Sequence, residues 1–217
     1  MPQLIAMIII VVVAMIYMFQ TFGGTGDKIT AVAKKSVIVT EINNIKSGVN
    51  LANESGHLEI VTGTDTNKAH TLEGLATLGY FDKLINDQLT NSVDTRNTAG
   101  DDTFNAYKAI SFGGDTTTTA GDVEISLVAP TAAATTDKPG ILVSIANGLA
   151  DQAGFLEAQL ATDLASIAYI DRNATTVTDK TTFDADGVVS GTTGTHTGTD
   201  TDGKFTIYFK DIKAGKL

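Results

Sequence analysis

The first twenty residues constrain this chain more than any other feature. They read MPQLIAMIIIVVVAMIYMFQ, and no charged side chain precedes Asp27. From Leu4 to Phe19 the only polar side-chain group is the Tyr17 hydroxyl. Burying sixteen such side chains is worth roughly 20 to 40 kcal/mol at about 1.5 to 3 kcal/mol each. We therefore expect this segment to lie in a bilayer or in the core of an assembly.

The length of the apolar segment suits a membrane-spanning helix. A helix from Pro2 to Phe22 would measure about 32 Å at roughly 1.5 Å per residue, close to the thickness of a hydrocarbon core. A secretory signal peptide would show a basic region and a cleavage site, whereas no Lys or Arg precedes Lys28. We infer either that a basic leader has been removed from before Met1 or that the segment is inserted by another route.

Three glycines, Gly23, Gly24 and Gly26, follow the apolar segment. Each weakens a helix by about 1 kcal/mol relative to Ala, so a flexible joint is predicted there. Beyond it, apolar residues recur with helical spacing and predict an amphipathic helix from about Asp27 to Ala52. Its buried stripe would comprise Ile29, Val32, Ile38, Ile42, Ile45, Val49 and Ala52. Its other face would carry Lys34, Lys35, Glu41 and Asn44.

The remaining residues suit one domain of mixed helix and strand, because single cores of this size are common. After a loop over residues 53–71, short helices are predicted around 72–78 and 81–89, with Leu84 and Ile85 facing inward. Strands are predicted over 106–112, 123–129, 141–146 and 205–209, with strand-like character also at Val188 and Val189. We expect the first three of these strands to form an antiparallel meander. Residues 151–168 predict a helix that buries Phe155, Leu156, Leu160, Leu164 and Ile167.

Charge and cysteine content narrow the possible partners and cross-links. Up to Ala52 the net charge is +2, which leaves −12 for the residues from Asn53 onward, since the total is −10. This acidic part would either pair with a neighbouring basic stem in a polymer or form a solubilising surface. Acidic surfaces repel phosphates, so no nucleic-acid partner is predicted. The chain has no cysteine, so its stability cannot come from disulfides.

The order of these parts resembles a type IV pilin, and within that family the type IVb branch of the toxin-coregulated pilin. Met1 is an N-terminal residue that this branch can show after leader cleavage. The segment TLEGLATLGYFDKLINDQ, residues 71–88, resembles the branch's helix-plus-LG element. The segment ILVSIANGLADQAGFLEAQL, residues 141–160, resembles its strand, turn and following helix. The resemblance covers the whole chain in order, and these three stretches are its specific part.

Two positions depart from the family pattern. Most major pilins carry a glutamate at the fifth mature position, where it is thought to pair with a neighbour's N-terminal amine, and here that position is Ile5. Something else must then satisfy the amine, such as the Gln3 side chain, methylation or water. The cysteine pair that fixes the family's C-terminal region is also missing. Strand pairing or a ligand would have to hold that region.

Few residues suggest a chemical site. Asp184 with Asp186, and Asp200 with Asp202, place carboxylates on Asp-Gly turns; calcium is one possible ligand, and an ordinary turn is the alternative. Asn53 and Asn173 fit the N-glycosylation pattern. The histidines His57, His70 and His196 show no metal-binding spacing, and no nucleophile has a base beside it. No enzyme activity is predicted, and apart from calcium no cofactor.

Together these features predict an α+β protein in which a long N-terminal helix, with a hydrophobic and an amphipathic half, packs on an antiparallel sheet. Residues 1–26 would form the hydrophobic helix and glycine joint, 27–52 the amphipathic helix and 53–217 the head. The predicted filament core comprises Leu4, Ile5, Ile8, Val11, Val12, Ile16 and Phe19. Met1 would be the processed and methylated terminus.

The resemblance implies a pilus subunit that is anchored in the inner membrane before assembly and lies in an extracellular filament at the bacterial surface afterwards. It implies copies of the same chain, a leader peptidase and the pilus assembly machinery as partners. Adhesion, motility and DNA uptake are all compatible with it. Two alternatives remain: a single-pass membrane-anchored surface binding domain that never polymerises, and a minor pilin outside the filament body.

Overall fold

The computed structural model describes residues 30–58, 70–90, 104–115, 119–130 and 137–213. The chain divides into two compact units, Met1–Ser36 and Val37–Leu217. The predicted apolar helix, the processed Met1, the filament-core residues and the glycine joint all lie outside the described residues. None of the described helices combines the length and the apolar character that a bilayer span requires.

The first helix, α1, covers residues 30–54. Most of its predicted stripe is buried within the larger unit, and the buried members are Ile38, Ile42, Ile45, Val49 and Ala52. Their spacing places them on one side of the helix. The prediction was wrong for Val32, whose side chain is 51% exposed. Ile29 lies outside the described residues.

The placement of Glu41 on the outer face of α1 was also wrong. Glu41 is 2% exposed, and its carboxylate accepts hydrogen bonds from the Tyr107 hydroxyl and the Ser111 backbone N–H, each at 2.8 Å. Further along α1, Lys46 pairs with Asp211 at 2.6 Å and lies 4.4 Å from the centre of the Phe209 ring. The helix therefore contacts residues at both ends of the chain segment that forms the sheet.

Two short helices follow, α2 over Leu72–Thr77 and α3 over Lys83–Leu89. Both begin at a side-chain cap: Thr71 accepts from the Gly74 N–H, and Asp82 accepts from the first N–H groups of α3. Such caps satisfy backbone donors that a helix start leaves unpaired. The predicted positions of both helices are confirmed. Of the two side chains expected inside, Ile85 is buried, but Leu84 is 66% exposed.

The main sheet has five antiparallel strands in the order β1-β2-β3-β7-β4. The strand bounds are Tyr107–Lys108 for β1, Val123–Val128 for β2, Gly140–Ile145 for β3, Ala168–Asp171 for β4 and Lys204–Phe209 for β7. The first strand is shorter than predicted, because a 3-10 turn over Ile110–Phe112 follows it. The antiparallel meander predicted for the first three strands is confirmed, and the last strand lies between β3 and β4.

Strand β7, which lies between β3 and the edge strand β4, is covered on both faces. Phe205, Ile207 and Phe209 alternate with Thr206 and Tyr208, and all five are at most 2% exposed. Phe209 lies on the face that contacts Lys46 of α1. Successive side chains of a strand point to opposite faces, so Thr206 and Tyr208 lie on the other face.

The head helix α4 covers Ala153–Leu164 and follows a 3-10 turn over Asn147–Gln152. Leu156, Leu160 and Leu164 are buried, as predicted. Phe155 and Ile167 are 40% and 48% exposed, so their predicted burial was wrong. Ile167 lies past the end of the helix. Phe155 directly precedes Leu156 and therefore lies on a different side of the helix.

A second sheet pairs β5, Lys180–Phe183, with β6, Val189–Thr193. Its Phe183 ring packs on the Tyr208 and Tyr169 rings, with centroids 5.2 and 5.9 Å apart. This hairpin therefore contacts the face of the main sheet that carries Tyr208. The chain is a mixed helix and antiparallel-sheet protein, which confirms the α+β class.

Candidate functional site: an exposed helix face and a carboxylate-held C-terminal region

The outer face of α1 carries no charge between Val37 and Leu51, and the exposed Glu54 follows at the end of the helix. Between Val37 and Leu51 the exposed residues are Thr40, Asn43, Asn44, Ser47 and Leu51, which we call the α1 outer face. Four of the five are small polar residues, and Leu51 is 53% exposed. Small uncharged side chains allow another helix or strand to approach closely without leaving a buried charge.

A hollow of about 260 Å³ adjoins this face. Asn44, Ser47 and Leu51 line one side of it, and Tyr80 and Ile85 line the other. The helix comes close to this second wall at Gly48, where an added Cβ would lie 2.3 Å from the Phe81 ring. Gly48 is therefore required for the close packing of α1 on the residue 80–85 segment. The exposed Leu84 belongs to the same segment.

The second feature is a set of buried carboxylates in the C-terminal region, which we define as residues 171–203. Asp179 is 2% exposed. One of its oxygens accepts the Thr175 and Thr176 N–H groups, and the other accepts the Thr195 N–H, at 2.9 to 3.0 Å. Burial alone would raise the pKa of Asp179, but these donors outweigh it and hold the pKa well below its usual range. The ionised carboxylate thus joins the loop before β5 to the chain after β6.

Asp171 makes a second connection in the same region. Its Oδ2 accepts from the Thr181 hydroxyl at 2.6 Å and lies 3.2 Å from His196 Nδ1. The other ring nitrogen of His196 lies 2.9 Å from the Thr193 carbonyl. Thr181 in turn donates its N–H to the Tyr208 hydroxyl at 3.0 Å. A single series of polar contacts therefore links strands β4, β5 and β7 with the residues after β6.

Glu157 connects α4 to the same region. It is fully buried and accepts from the Gly203 N–H at 2.9 Å and from Arg172 Nε at 2.8 Å. Arg172 also donates to the Asp200 carbonyl. Burial raises the pKa of Glu157, although the Arg172 and Gly203 hydrogen bonds oppose the shift. Together Glu157, Asp171 and Asp179 hold the C-terminal region by hydrogen bonds.

Two of the four carboxylates proposed for calcium, those of Asp184 and Asp202, accept hydrogen bonds within turns, and that of Asp200 lies 3.5 Å from Arg172. Asp184 accepts from the N–H groups of Asp186 and Val188, and Asp202 accepts from those of Thr199 and Lys204. Within the described ranges, no three His, Cys, Asp or Glu side chains are grouped so that they could hold a metal ion. The calcium site stays a prediction.

The two glycosylation candidates differ in accessibility. Asn53 is 6% exposed on α1, and its Nδ2 donates to the Lys213 carbonyl at 3.1 Å. A sugar at this position would displace that bond. Asn173 is exposed next to Asp171, so a sugar there would meet no such obstacle.

Glu157, Asp171 and Asp179 belong to no sequence motif that would single them out. A carboxylate inside an otherwise apolar helix, as in FLEAQL around Glu157, is the one local signal that indicates burial. The other two belong to short polar segments, and their partners include residues as distant in sequence as Thr195 and His196. Comparison of the chain with protein-family models, with curated proteins and with solved structures found no match.

Proposed function

We propose that this chain is a structural subunit of an extracellular filament, similar to a type IVb pilin, that polymerises through its N-terminal helix. The observation that carries the proposal is the two-sided character of α1. One side buries Ile38, Ile42 and Ile45 in the head, and the α1 outer face is exposed and carries no charge before Glu54 at the end of the helix. In sequence, this helix follows a segment of twenty residues without a charge.

The polarity of each part of the chain determines what it must pack against. The segment before α1 is too apolar to remain in water, and lipid and packed helices are similar environments for Leu and Ile. One apolar surface can therefore serve a membrane-anchored precursor and a filament core. An uncharged α1 outer face adds no desolvated charge when neighbouring copies approach it.

The C-terminal region fits the demands on a subunit displayed outside the cell. Such proteins are commonly held by disulfides, and this chain has no cysteine. The bonds of Glu157, Asp171 and Asp179 restrain the same part of the chain without oxidation chemistry. Before assembly the subunit would be anchored in the inner membrane, and a leader peptidase and an assembly machine are partners implied by the pilin resemblance.

The first experiment asks whether the chain forms filaments. Native cells are sheared, the released particles are pelleted, and the intact mass and N-terminal peptide of the dominant subunit are measured. A pelleted subunit that begins at Met1 and carries one extra methyl group supports the proposal. A chain that stays in the membrane fraction, with a longer or unmodified N-terminus, instead indicates an anchored surface binding domain.

A second experiment tests the α1 outer face directly. Ser47→Arg places a charged, bulky side chain in the middle of that face, and we expect the amount of pelleted filament to fall at least tenfold. Thr192→Arg is the matched control, because Thr192 is also exposed but lies on β6 of the second sheet. Equal filament yields from the two variants, at equal cellular levels of the chain, would remove the α1 outer face from the proposal.

A further inference from the structure

A second concave site lies on the head, apart from α1. This hollow has a volume of about 370 Å³ and lies between the start of α2, the end of β2 and the loop that leads into β5. Its walls include the apolar side chains of Leu127, Pro130 and Val177. Two nitrogen-bearing side chains, His70 and Lys180, also line it.

Both nitrogen groups lack a hydrogen-bonding partner among the described residues. His70 Nε2 is fully buried and makes no hydrogen bond. Lys180 is half-buried, and no hydrogen bond or ion pair of its ammonium occurs within the described part of the chain. Buried polar groups are nearly always satisfied in folded proteins. The unpartnered Nε2 of His70 therefore indicates a missing partner, and the Lys180 ammonium is a second nitrogen group at the same hollow.

The other polar side chains of the hollow are already engaged. Asn105 bonds the backbone of Leu127 with both its oxygen and its amide, and the Thr178 hydroxyl bonds that of Thr176 at 2.8 Å. An incoming ligand would therefore find two nitrogen-bearing side chains, His70 and Lys180, and apolar surface in the same hollow. This combination suits a molecule with one acidic group and an apolar body.

The charge nearby limits the ligand to a single negative charge. Burial lowers the pKa of Lys180, and the negative charge of Asp137 opposes that shift. Asp137 is itself 3% exposed, so its field is not screened by water. One ammonium next to one carboxylate leaves little attraction for a dianion, whereas a monoanion gains a charge-assisted hydrogen bond.

We propose that this hollow binds a small organic monocarboxylate, with the ligand's carboxylate on Lys180 Nζ and His70 Nε2 and its apolar body on Leu127, Pro130 and Val177. The site is independent of filament formation, because none of these residues belongs to α1 or to its outer face. It would give the subunit a ligand-binding function on the head.

The chain offers a direct readout, because it has only three histidines. The full-length protein, in a mild detergent and labelled at the histidine ring carbons, should give three ring signals by NMR, assigned with His57→Gln, His70→Gln and His196→Gln. Benzoate is the probe, benzamide is its uncharged counterpart, acetate lacks the apolar body and inorganic phosphate tests the dianion. We expect benzoate to move the His70 signal saturably and to leave the other two in place.

Substitutions of Lys180 provide the matched comparison. Lys180→Met should weaken benzoate binding at least tenfold, Lys180→Arg should retain most of it, and Lys83→Met, on the exposed side of α3, should have no effect. Benzamide, acetate and phosphate should each bind at least tenfold more weakly than benzoate. The proposal is overturned if all three histidine signals move together, if Lys180→Met binds benzoate as the unmodified chain does, or if acetate or phosphate binds as well as benzoate.

Discussion

The α1–sheet contact and the C-terminal region both hold separate segments of the chain together. The first does so by apolar burial and the second by hydrogen bonds to carboxylates. On α1, Ile42 and Ile45 are at most 1% exposed and lie in an apolar core. In the C-terminal region the groups that join separate segments are the carboxylates of Asp171 and Asp179. Apolar burial is additive over many contacts, whereas each carboxylate holds several backbone donors at one point. A change in the first region should therefore lower the stability of the whole core, whereas a change in the second should release the few segments that one carboxylate joins.

The difference also explains where the negative charge of the chain lies. Buried carboxylates of the described head residues are Glu73, Asp137, Glu157, Asp171 and Asp179. Glu73 shows the pattern outside the C-terminal region: its Oε2 accepts the Phe104 N–H at 2.8 Å, while its own N–H donates to the Phe104 carbonyl. Part of the acidic composition therefore serves as internal hydrogen-bond acceptors, in addition to the solubilising or stem-pairing surface that the sequence suggests.

Truncation in the apolar region should give the largest effect. Ile42→Ala leaves a cavity beside α1 and is expected to lower the free energy of unfolding by about 2 to 5 kcal/mol. The measurement is urea unfolding of the full-length chain in mild detergent, followed by the near-UV circular dichroism of its tyrosines. Leu84→Ala is the control, since Leu84 is 66% exposed and should change stability by less than about 0.5 kcal/mol. Equal losses in both variants would contradict the assigned burial.

Removing the charge of one carboxylate should give the second-largest loss in the free energy of unfolding. Asp179→Asn presents an amide NH₂ where backbone donors now point, and hydrogen bonds to a charged group are worth about 1.5 to 3 kcal/mol. We expect a loss of about 2 to 3 kcal/mol, with faster hydrogen exchange at the Thr175, Thr176 and Thr195 amides. Exchange at β3 amides should change less than at these three. Uniformly faster exchange across the head would show that Asp179 has no local role.

The burial of apolar side chains could largely be predicted from the sequence, whereas the burial of carboxylates could not. The burial of Ile38, Ile42 and Ile45 follows from spacing along one helix, and β7 follows from its run of aromatic and β-branched residues. The burial of Glu41 could not be predicted, because its partner Tyr107 is 66 residues away. Leu84 and Ile85 are adjacent and equally apolar, so only the direction of packing decides that Ile85 faces inward.

The C-terminal region was the least predictable for a related reason. Strands β4 and β5 have four residues each and contain Asp171 and Thr181, so neither shows the apolar alternation that predicts a strand. Their pairing depends on contacts with distant residues, including Tyr208 and His196. Local periodicity predicts elements that bury apolar side chains, and it has no information about carboxylates that bind backbone groups of other segments.

Acid should weaken the C-terminal region through Asp179. The pKa of Asp179 is lower in the folded protein than its ordinary value of 3.8, so the ionised group stabilises the fold above that value. This contribution is lost as the pH falls from about 5 towards the lower folded pKa. The stability difference between the unmodified chain and Asp179→Asn should therefore shrink between pH 6 and pH 3. A difference that stays constant over this range would mean that the pKa of Asp179 is not lowered.

Glu157 should give the smallest effect and the opposite pH dependence. Its pKa is raised by burial, so the fold favours the protonated acid, and its contribution is lost as the pH rises through the folded pKa. Glu157→Gln keeps an acceptor for the Gly203 N–H, and the partner Arg172 remains 25% exposed to water. We expect a loss of about 1 kcal/mol or less at pH 7, increasing as the pH is lowered towards 4, because only the unmodified chain then gains from protonation. The reverse trend would indicate that the ion pair with Arg172 outweighs burial and that Glu157 acts as Asp179 does.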